Sequence, residues 1–242
     1  MAIGFWGCHS YEAKTLKGQA LMGWEHFNLN LTHSNDFSID ARNLILRVFD
    51  TATDALADEW KTESQAREKA IAEAYKVDEG EGGYLSQEYD WEKDMYRQRN
   101  QGVGALALDW LTCSLQGALH SAKTYLDSTH PPKPPYKGDG WLERVSNEYK
   151  ERFGIDFRKG PVAFERIQEL VLARNAGIHR DDGNLEKYLK TTADPRFIDS
   201  ESEDRFFVTK DALVSTIQEC EQFLKWIVSE IERLGPSPKR SK

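Results

Sequence analysis

Apolar residues recur at intervals of three, four and seven along most of this chain, which is the spacing of one buried helix face. The pattern predicts a long helix, or a pair of helices, with an N-cap at Ser38 and an end near Tyr75. It predicts a second long helix over about Tyr96–Asp127 and a short one over about Trp141–Phe153. The central part of the chain is therefore expected to be helical.

A further helix is indicated between Pro161 and Gly183. Proline suits a first helical position, because its fixed φ fits the helix and its missing N–H has no partner there. Glycine is a common stop. The apolar stripe of this helix consists of Phe164, Ile167, Val171 and Ile178. Its C-terminal part carries three polar residues, Arg174, Asn175 and His179, which are the main candidates for chemistry.

The pattern closes with an amphipathic helix that is capped by Thr209 and continues to about Leu234. Before it we expect a loop over Leu185–Phe207, with a short strand near Arg205–Val208. The basic tail Gly235–Lys242 is predicted to be disordered. Because strand signal is too thin for a sheet enzyme, the predicted fold class is all-α.

An acidic, glycine-rich stretch separates the first two long helices. Residues Asp78–Asp94 contain seven acids and one lysine, which indicates a flexible connection or a solvated face. This stretch is the best candidate for a boundary inside the chain. We therefore predict an N-terminal helical extension over residues 1–95, a helical bundle over 96–234 and the tail over 235–242.

Composition limits the possible functions. Charged residues make up 30% of the chain, the mean hydropathy is −0.66 and no apolar run is long enough to span a membrane. The net charge of −8 argues against a surface coated in cations for general nucleic-acid binding, but it leaves room for a small basic site.

The cysteine and N-terminal patterns bear on compartment and cofactors. Cys8, Cys113 and Cys220 are scattered and form no Cys-x-x-Cys pair, so neither a zinc site nor a disulfide framework is indicated. The first residues lack the features of a signal peptide. These observations favour a reducing cytoplasm and a protein without metal or cofactor.

The spacing of the polar residues in the fourth predicted helix restricts how they can act. At 100° per residue, Asn175 and His179 lie one turn apart on the same side, whereas Arg174 and His179 are separated by about 140°. Either the helix distorts near Gly177, or a second copy of the chain brings its own arginine and histidine alongside. Asp109 and His120 also share one side of the preceding long helix, where they could flank a site, although such residues are more often paired or surface-facing.

The arrangement Arg174-Asn175, three residues and then His179, after a Leu-Val-Leu-Ala run, resembles the signature of the HEPN family of helical proteins. The order of helices from about residue 96 onward is similar to the HEPN four-helix bundle. Many HEPN proteins are metal-independent endoribonucleases that form one cleft from two protomers, and many serve as toxins or antiviral effectors. The resemblance therefore implies an RNA substrate, a homodimer, and an inhibitory or activating partner protein as a further possibility.

Residue chemistry fits such a reaction. Histidine suits proton transfer near neutral pH, so His179 is assigned the acid–base role. Arg174 would stabilise charge on the phosphate, and Asn175 would orient the histidine or a phosphate oxygen. Three further cations are candidates for binding RNA: Arg158, Lys159 and Arg180.

Two other interpretations stay open. One is a catalytically inactive HEPN-like module that binds a partner protein or a nucleotide, which the net charge favours. The other is a helical adaptor unrelated to HEPN, in which the motif is coincidental. One HEPN toxin subgroup carries a modifiable tyrosine two positions after the histidine, where this chain has Asp181, so regulation by that route is not expected.

Overall fold

The computed structural model describes the backbone of residues 24–129, 136–179, 182–199 and 202–234, and the side chains of most of them. Four longer helices dominate this part: α1 (Trp24–Val77), α2 (Glu79–Thr129), α4 (Phe164–His179) and α6 (Lys210–Leu234). The predicted all-α class is confirmed. The predicted disordered tail at 235–242 lies outside the described residues.

Shorter elements connect the long helices. Helix α3 (Trp141–Glu148) continues into a π-helical turn (Tyr149–Phe153), and a 3₁₀ turn follows at Phe157–Lys159. Helix α5 (Asp182–Thr191) comes after α4. Strands β1 (Ile198–Asp199) and β2 (Ser202–Phe206) pair antiparallel, with Ile198 opposite Phe206 and Asp199 opposite Ser202.

The core lies where α2, α4 and α6 meet the π-helical turn and the part of α1 around Ile45 and Phe49. Phe157 is completely buried at its centre, 5.0 Å from the ring of Tyr149 and 5.1 Å from that of Phe223. The hydroxyl of Tyr149 donates to the carbonyl oxygen of Leu119 at 2.7 Å, so this buried polar group is satisfied. Each such aromatic side chain contributes about 1.5–3 kcal/mol by leaving water.

The acidic stretch at 78–94 is helical from Glu79 onward, so the predicted flexible connection is wrong, whereas the alternative of a solvated face agrees with the exposure of most of its acids. Only Asp78 separates α1 from α2, which begins at Glu79 rather than near Tyr96. The carboxylate of Asp78 accepts the N–H of Gly80 at 2.7 Å, in the manner of an N-cap. Acidic residues in the first turn are also favoured by the helix dipole. Capping and dipole together overcome the loop-forming tendency of the glycines, and the predicted division at residue 95 falls inside α2.

Several other predicted boundaries are corrected by the structure. Ser38 is not an N-cap, because α1 already begins at Trp24. Pro161 precedes the fourth helix instead of starting it, and Gly183 lies in α5. A loop was predicted from Leu185 onward, but residues 185–191 belong to helix α5. Strand β2 ends at Phe206, two residues before the predicted end of the strand at Val208.

The capping role of Thr209 is confirmed. Its hydroxyl oxygen accepts the N–H of Ala212 at 3.2 Å at the start of α6. The predicted short helix at 141–153 is also confirmed, with its last turn widened to π-helical geometry.

Candidate functional site

Helix α4 is anchored by one buried face, which leaves its polar residues at the side and the end. Phe164, Ile167, Leu170 and Ala173 are at most 1% exposed. Near its C-terminus the helix approaches its neighbours very closely at Gly177. A Cβ atom there would lie 2.7 Å from the ring of Phe206 in β2 and 2.9 Å from the Cβ of Ala105 in α2. Only glycine allows this contact, so α4 is held firmly against α2.

Because α4 and α2 lie close together here, the side chain of Arg174 contacts Asp109 of α2. Its Nε donates to Oδ1 of Asp109 at 2.7 Å, and its Nη2 lies 2.6 Å from the same oxygen. Its Nη1 donates to Oδ1 of Asn175 at 3.0 Å. The side chains of Arg174 and Asp109 remain 29% and 32% exposed. These contacts engage three of the five guanidinium N–H groups, and the other two have no partner among the described residues.

His179 is the last residue of α4 and is exposed. Among the described residues it has no hydrogen bond or ion pair. The helix stays α-helical through Gly177, so the predicted alternative of a local distortion is wrong. By helix geometry, Arg174 and His179 therefore lie about 140° apart around α4.

Two of the cations predicted to bind RNA, Arg158 and Lys159, lie away from His179. Arg158 lies in the 3₁₀ turn before α4, with its guanidinium over the ring of Phe164 at 4.9 Å and 4.0 Å from Glu143. Lys159 is exposed beside it. Both belong to the opposite end of α4 from His179, about 20 Å away along the helix axis. Arg180 lies outside the described residues.

Asp109 and His120 do not form a common site. Asp109 is the ion-pair partner of Arg174, which confirms that it is a paired residue. His120 is exposed on α2, eleven residues and about 16 Å further along the helix. Both Asp109 and Arg174 are candidates from the sequence, but no local pattern predicts a contact between residues 65 positions apart.

Exposed apolar side chains occur on α1 and α2 at the level of the ion pair. They are Leu44 and Val48 of α1, which are 45% and 47% exposed, and Leu106 and Trp110 of α2, which are 66% and 39% exposed. Each pair is spaced by four residues and so forms a stripe on its helix. The antiparallel register that joins Glu59 to Arg99 places Val48 roughly level with Asp109. We refer to these four residues as the apolar surface.

No group of three or more histidine, cysteine, aspartate or glutamate side chains that could hold a metal ion occurs within the described ranges. No helix in the same ranges is long and apolar enough to cross a membrane. No protein-family model, no characterised protein and no solved structure matches the chain.

Proposed function

We propose that the protein is a metal-independent endoribonuclease of the HEPN type that acts as a toxin or an antiviral-defence effector. The observation that carries this proposal is the arrangement at the end of α4. Asp109 holds the guanidinium of Arg174, and two of its N–H groups have no partner among the described residues. Asn175 accepts a hydrogen bond from Arg174, and His179 is exposed at the terminus of the helix. A nuclease of this type needs a fixed cation and an accessible histidine.

The chemistry uses groups that RNA and the chain both supply. The 2′-OH of the nucleotide attacks the adjacent phosphorus, and the 5′-oxygen of the next nucleotide leaves. A neutral histidine takes the proton of the 2′-OH, and a protonated histidine gives one to the leaving oxygen. The guanidinium of Arg174 stabilises the extra negative charge on the phosphate oxygens. The products are a 2′,3′-cyclic phosphate and a 5′-hydroxyl.

Two copies of the chain would complete the site. One chain supplies a single His179, whereas the reaction needs both a base and an acid. The apolar side chains at Leu106 and Trp110 flank Asp109 in α2 and are exposed, so we take the apolar surface as the face on which a second copy packs and through which it adds its own His179 to the site.

A second candidate function is a HEPN-like module that binds a partner protein or a nucleotide without cleavage. One observation favours it: Asp109 offsets the charge of Arg174 within the same chain. A phosphate that approaches Arg174 meets a carboxylate as well as a guanidinium. This interpretation predicts ligand binding that depends on Arg174 without any cleaved product.

The decisive experiment is incubation of the purified protein with total RNA in EDTA. The wild type should produce fragments with 2′,3′-cyclic ends, and His179→Ala should lose about 10²–10⁴-fold in rate. His120→Ala is the matched control, because His120 is also an exposed helical histidine but lies about 16 Å from Asp109 along α2. Cleavage of an RNA with a 2′-deoxy substitution at the cut site, or equal activity of the two variants, would contradict the proposal. No cleavage of any RNA favours the binding module.

A further inference from the structure

The region of α1 and α2 beyond the core forms a two-helix arm. Among the described residues, no buried hydrophobic side chain occurs between Phe49 and Ala105. The two helices pack mainly on each other there, and their turn at Asp78 forms the tip. Between Asp54 and Arg99 the sequence contains 13 acidic and 7 basic residues, which gives the arm a net charge of −6 out of −8 for the whole chain. The arm is therefore the most acidic part of the molecule.

An aromatic groove crosses this arm. The ring of Trp60 in α1 stacks on Tyr96 of α2, with ring centroids 5.1 Å apart, and on Tyr89 at 5.5 Å. Next to this stack, Trp91 and Met95 line a groove with a volume of about 230 Å³. Trp91 is 64% exposed, which is unusual for so large an apolar side chain. The stack makes the floor of the groove rigid, and Trp91 presents a ring to solvent at its edge.

Carboxylates surround the same groove. Glu59 is paired with Arg99 at 3.0 Å, and Glu92 with Arg67 at 2.5 Å. Glu63 also lines the groove. It forms no ion pair within 4 Å in the part of the chain that the structure describes, and its charge acts on Arg67, which already pairs with Glu88 and Glu92. A carboxylate outside any direct ion pair thus lines the same groove as an exposed indole ring. Cations are bound well by this combination, because the ring face and the carboxylate both attract positive charge.

We propose that this groove binds an arginine or lysine side chain from a basic segment of a partner protein. The cation would lie against Trp91 with Glu63 beside it, and the remaining acids of the arm would attract neighbouring basic residues of the same segment. Charge complementarity selects this class of partner over an acidic or apolar one, and it also excludes nucleic acid at this surface. The site is independent of the ribonuclease proposal, since it lies on the arm and shares no residue with α4.

The test uses a fluorescein-labelled nine-residue peptide of alternating glycine and arginine, with binding measured by fluorescence anisotropy. The wild-type protein should bind this peptide and should not bind the matching glycine–glutamate peptide. Trp91→Ala and Glu63→Gln should each weaken binding roughly fivefold or more, the loss expected for one cation–π contact or one facing carboxylate. The matched controls are Tyr84→Ala, an exposed aromatic residue on the same arm outside the groove, and Glu73→Gln, an exposed acid on the same arm.

Three results would overturn the proposal. The first is no binding of the arginine peptide by the wild type. The second is an unchanged affinity in Trp91→Ala together with equal losses in Glu63→Gln and Glu73→Gln, which would mean diffuse attraction to the whole arm. The third is self-association that Trp91→Ala abolishes and the peptide does not compete with, which would make the groove a contact between copies. All four variants change exposed or half-exposed side chains, so circular dichroism should show intact folding.

Discussion

Arg174 places two of its N–H groups on a single carboxylate oxygen of Asp109, at 2.7 and 2.6 Å, and this links α4 to α2. The contact holds the guanidinium in one orientation, and it also reduces the positive potential that a phosphate would meet. In the proposed function, Asp109 would therefore be a positioning residue, and its negative charge would oppose the phosphate that Arg174 binds. Substitution of either Arg174 or Asp109 should therefore change the binding of RNA in a direction that can be predicted.

Two substitutions of Arg174 should distinguish the effect of its positive charge from the effect of its planar guanidinium geometry. Arg174→Ala should lower RNA cleavage about 10²–10³-fold, the usual cost of removing a charge-stabilising donor. Arg174→Lys keeps the charge but loses the planar fork, so it should recover only part of the rate. Stability should change little, because half-exposed ion pairs contribute about 0–1 kcal/mol. Single-turnover cleavage rates and urea unfolding measure the two effects, and Arg144→Ala, an exposed arginine on α3, is the control.

Asp109→Asn should tighten the binding of RNA. The amide oxygen can still accept an N–H from Arg174, but the negative charge is gone, so the potential at the guanidinium rises. Binding of a labelled, non-cleavable 2′-deoxy oligonucleotide measures this directly. A weaker affinity in Asp109→Asn than in the wild type would show that the orienting role of Asp109 outweighs its charge.

The apolar surface provides a test of dimer formation. The wild type should sediment as a dimer at micromolar concentration, and Trp110→Glu should shift it to a monomer, because a buried, unpaired carboxylate costs far more than the contact contributes. Cleavage should fall in parallel. Trp91→Glu introduces the same charge on the arm and should leave the dimer intact. A monomeric wild type, or a dimeric Trp110→Glu, would contradict the proposed docking surface.

A buried ion-pair network ties the segment after α5 to the bundle. Glu169 is 1% exposed and accepts both the backbone N–H and the Nε–H of Arg196 at 2.8 Å. It also accepts the hydroxyl of Tyr188 at 3.2 Å. Glu169→Ala should therefore lower the free energy of unfolding by about 3–5 kcal/mol, because it leaves the buried donors of Arg196 and Tyr188 without their acceptor. Glu165→Ala, an exposed acid on the same helix, should change it by less than about 0.5 kcal/mol in the same urea titration.

The network at the end of α2 predicts acid sensitivity. Burial acts to raise the pKa of Asp127, but hydrogen bonds from Lys123 and Arg152 outweigh it, and the net pKa lies below the ordinary 3.8. The stabilisation from this carboxylate is thus present above pH 3.8 and is lost as the pH falls through the lower folded value. The stability difference between wild type and Asp127→Asn should shrink between pH 7 and pH 2. Asp139→Asn, an exposed control, should show no such convergence.

The periodic pattern of the sequence determined most of the helices and the location of the candidate residues. Thr209 as a cap and the helix that carries Arg174 were both predicted correctly, because caps and apolar stripes depend on neighbours within one or two turns. The boundaries at Glu79 and α5 were missed. The first region has three glycines within residues 78–83, and the second begins with Asp182-Gly-Asn184, which are residues typical of turns.

Only the tertiary structure decided which residues meet. The pairing of Arg174 with Asp109, and of Glu169 with Arg196, joins positions far apart in the chain, and no local pattern encodes such contacts. The aromatic groove of the arm likewise requires the antiparallel register of α1 and α2, which sets Trp60 against Tyr96. Helix periodicity is a property of each segment alone, whereas the partner of a side chain follows from the packing of all segments against one another.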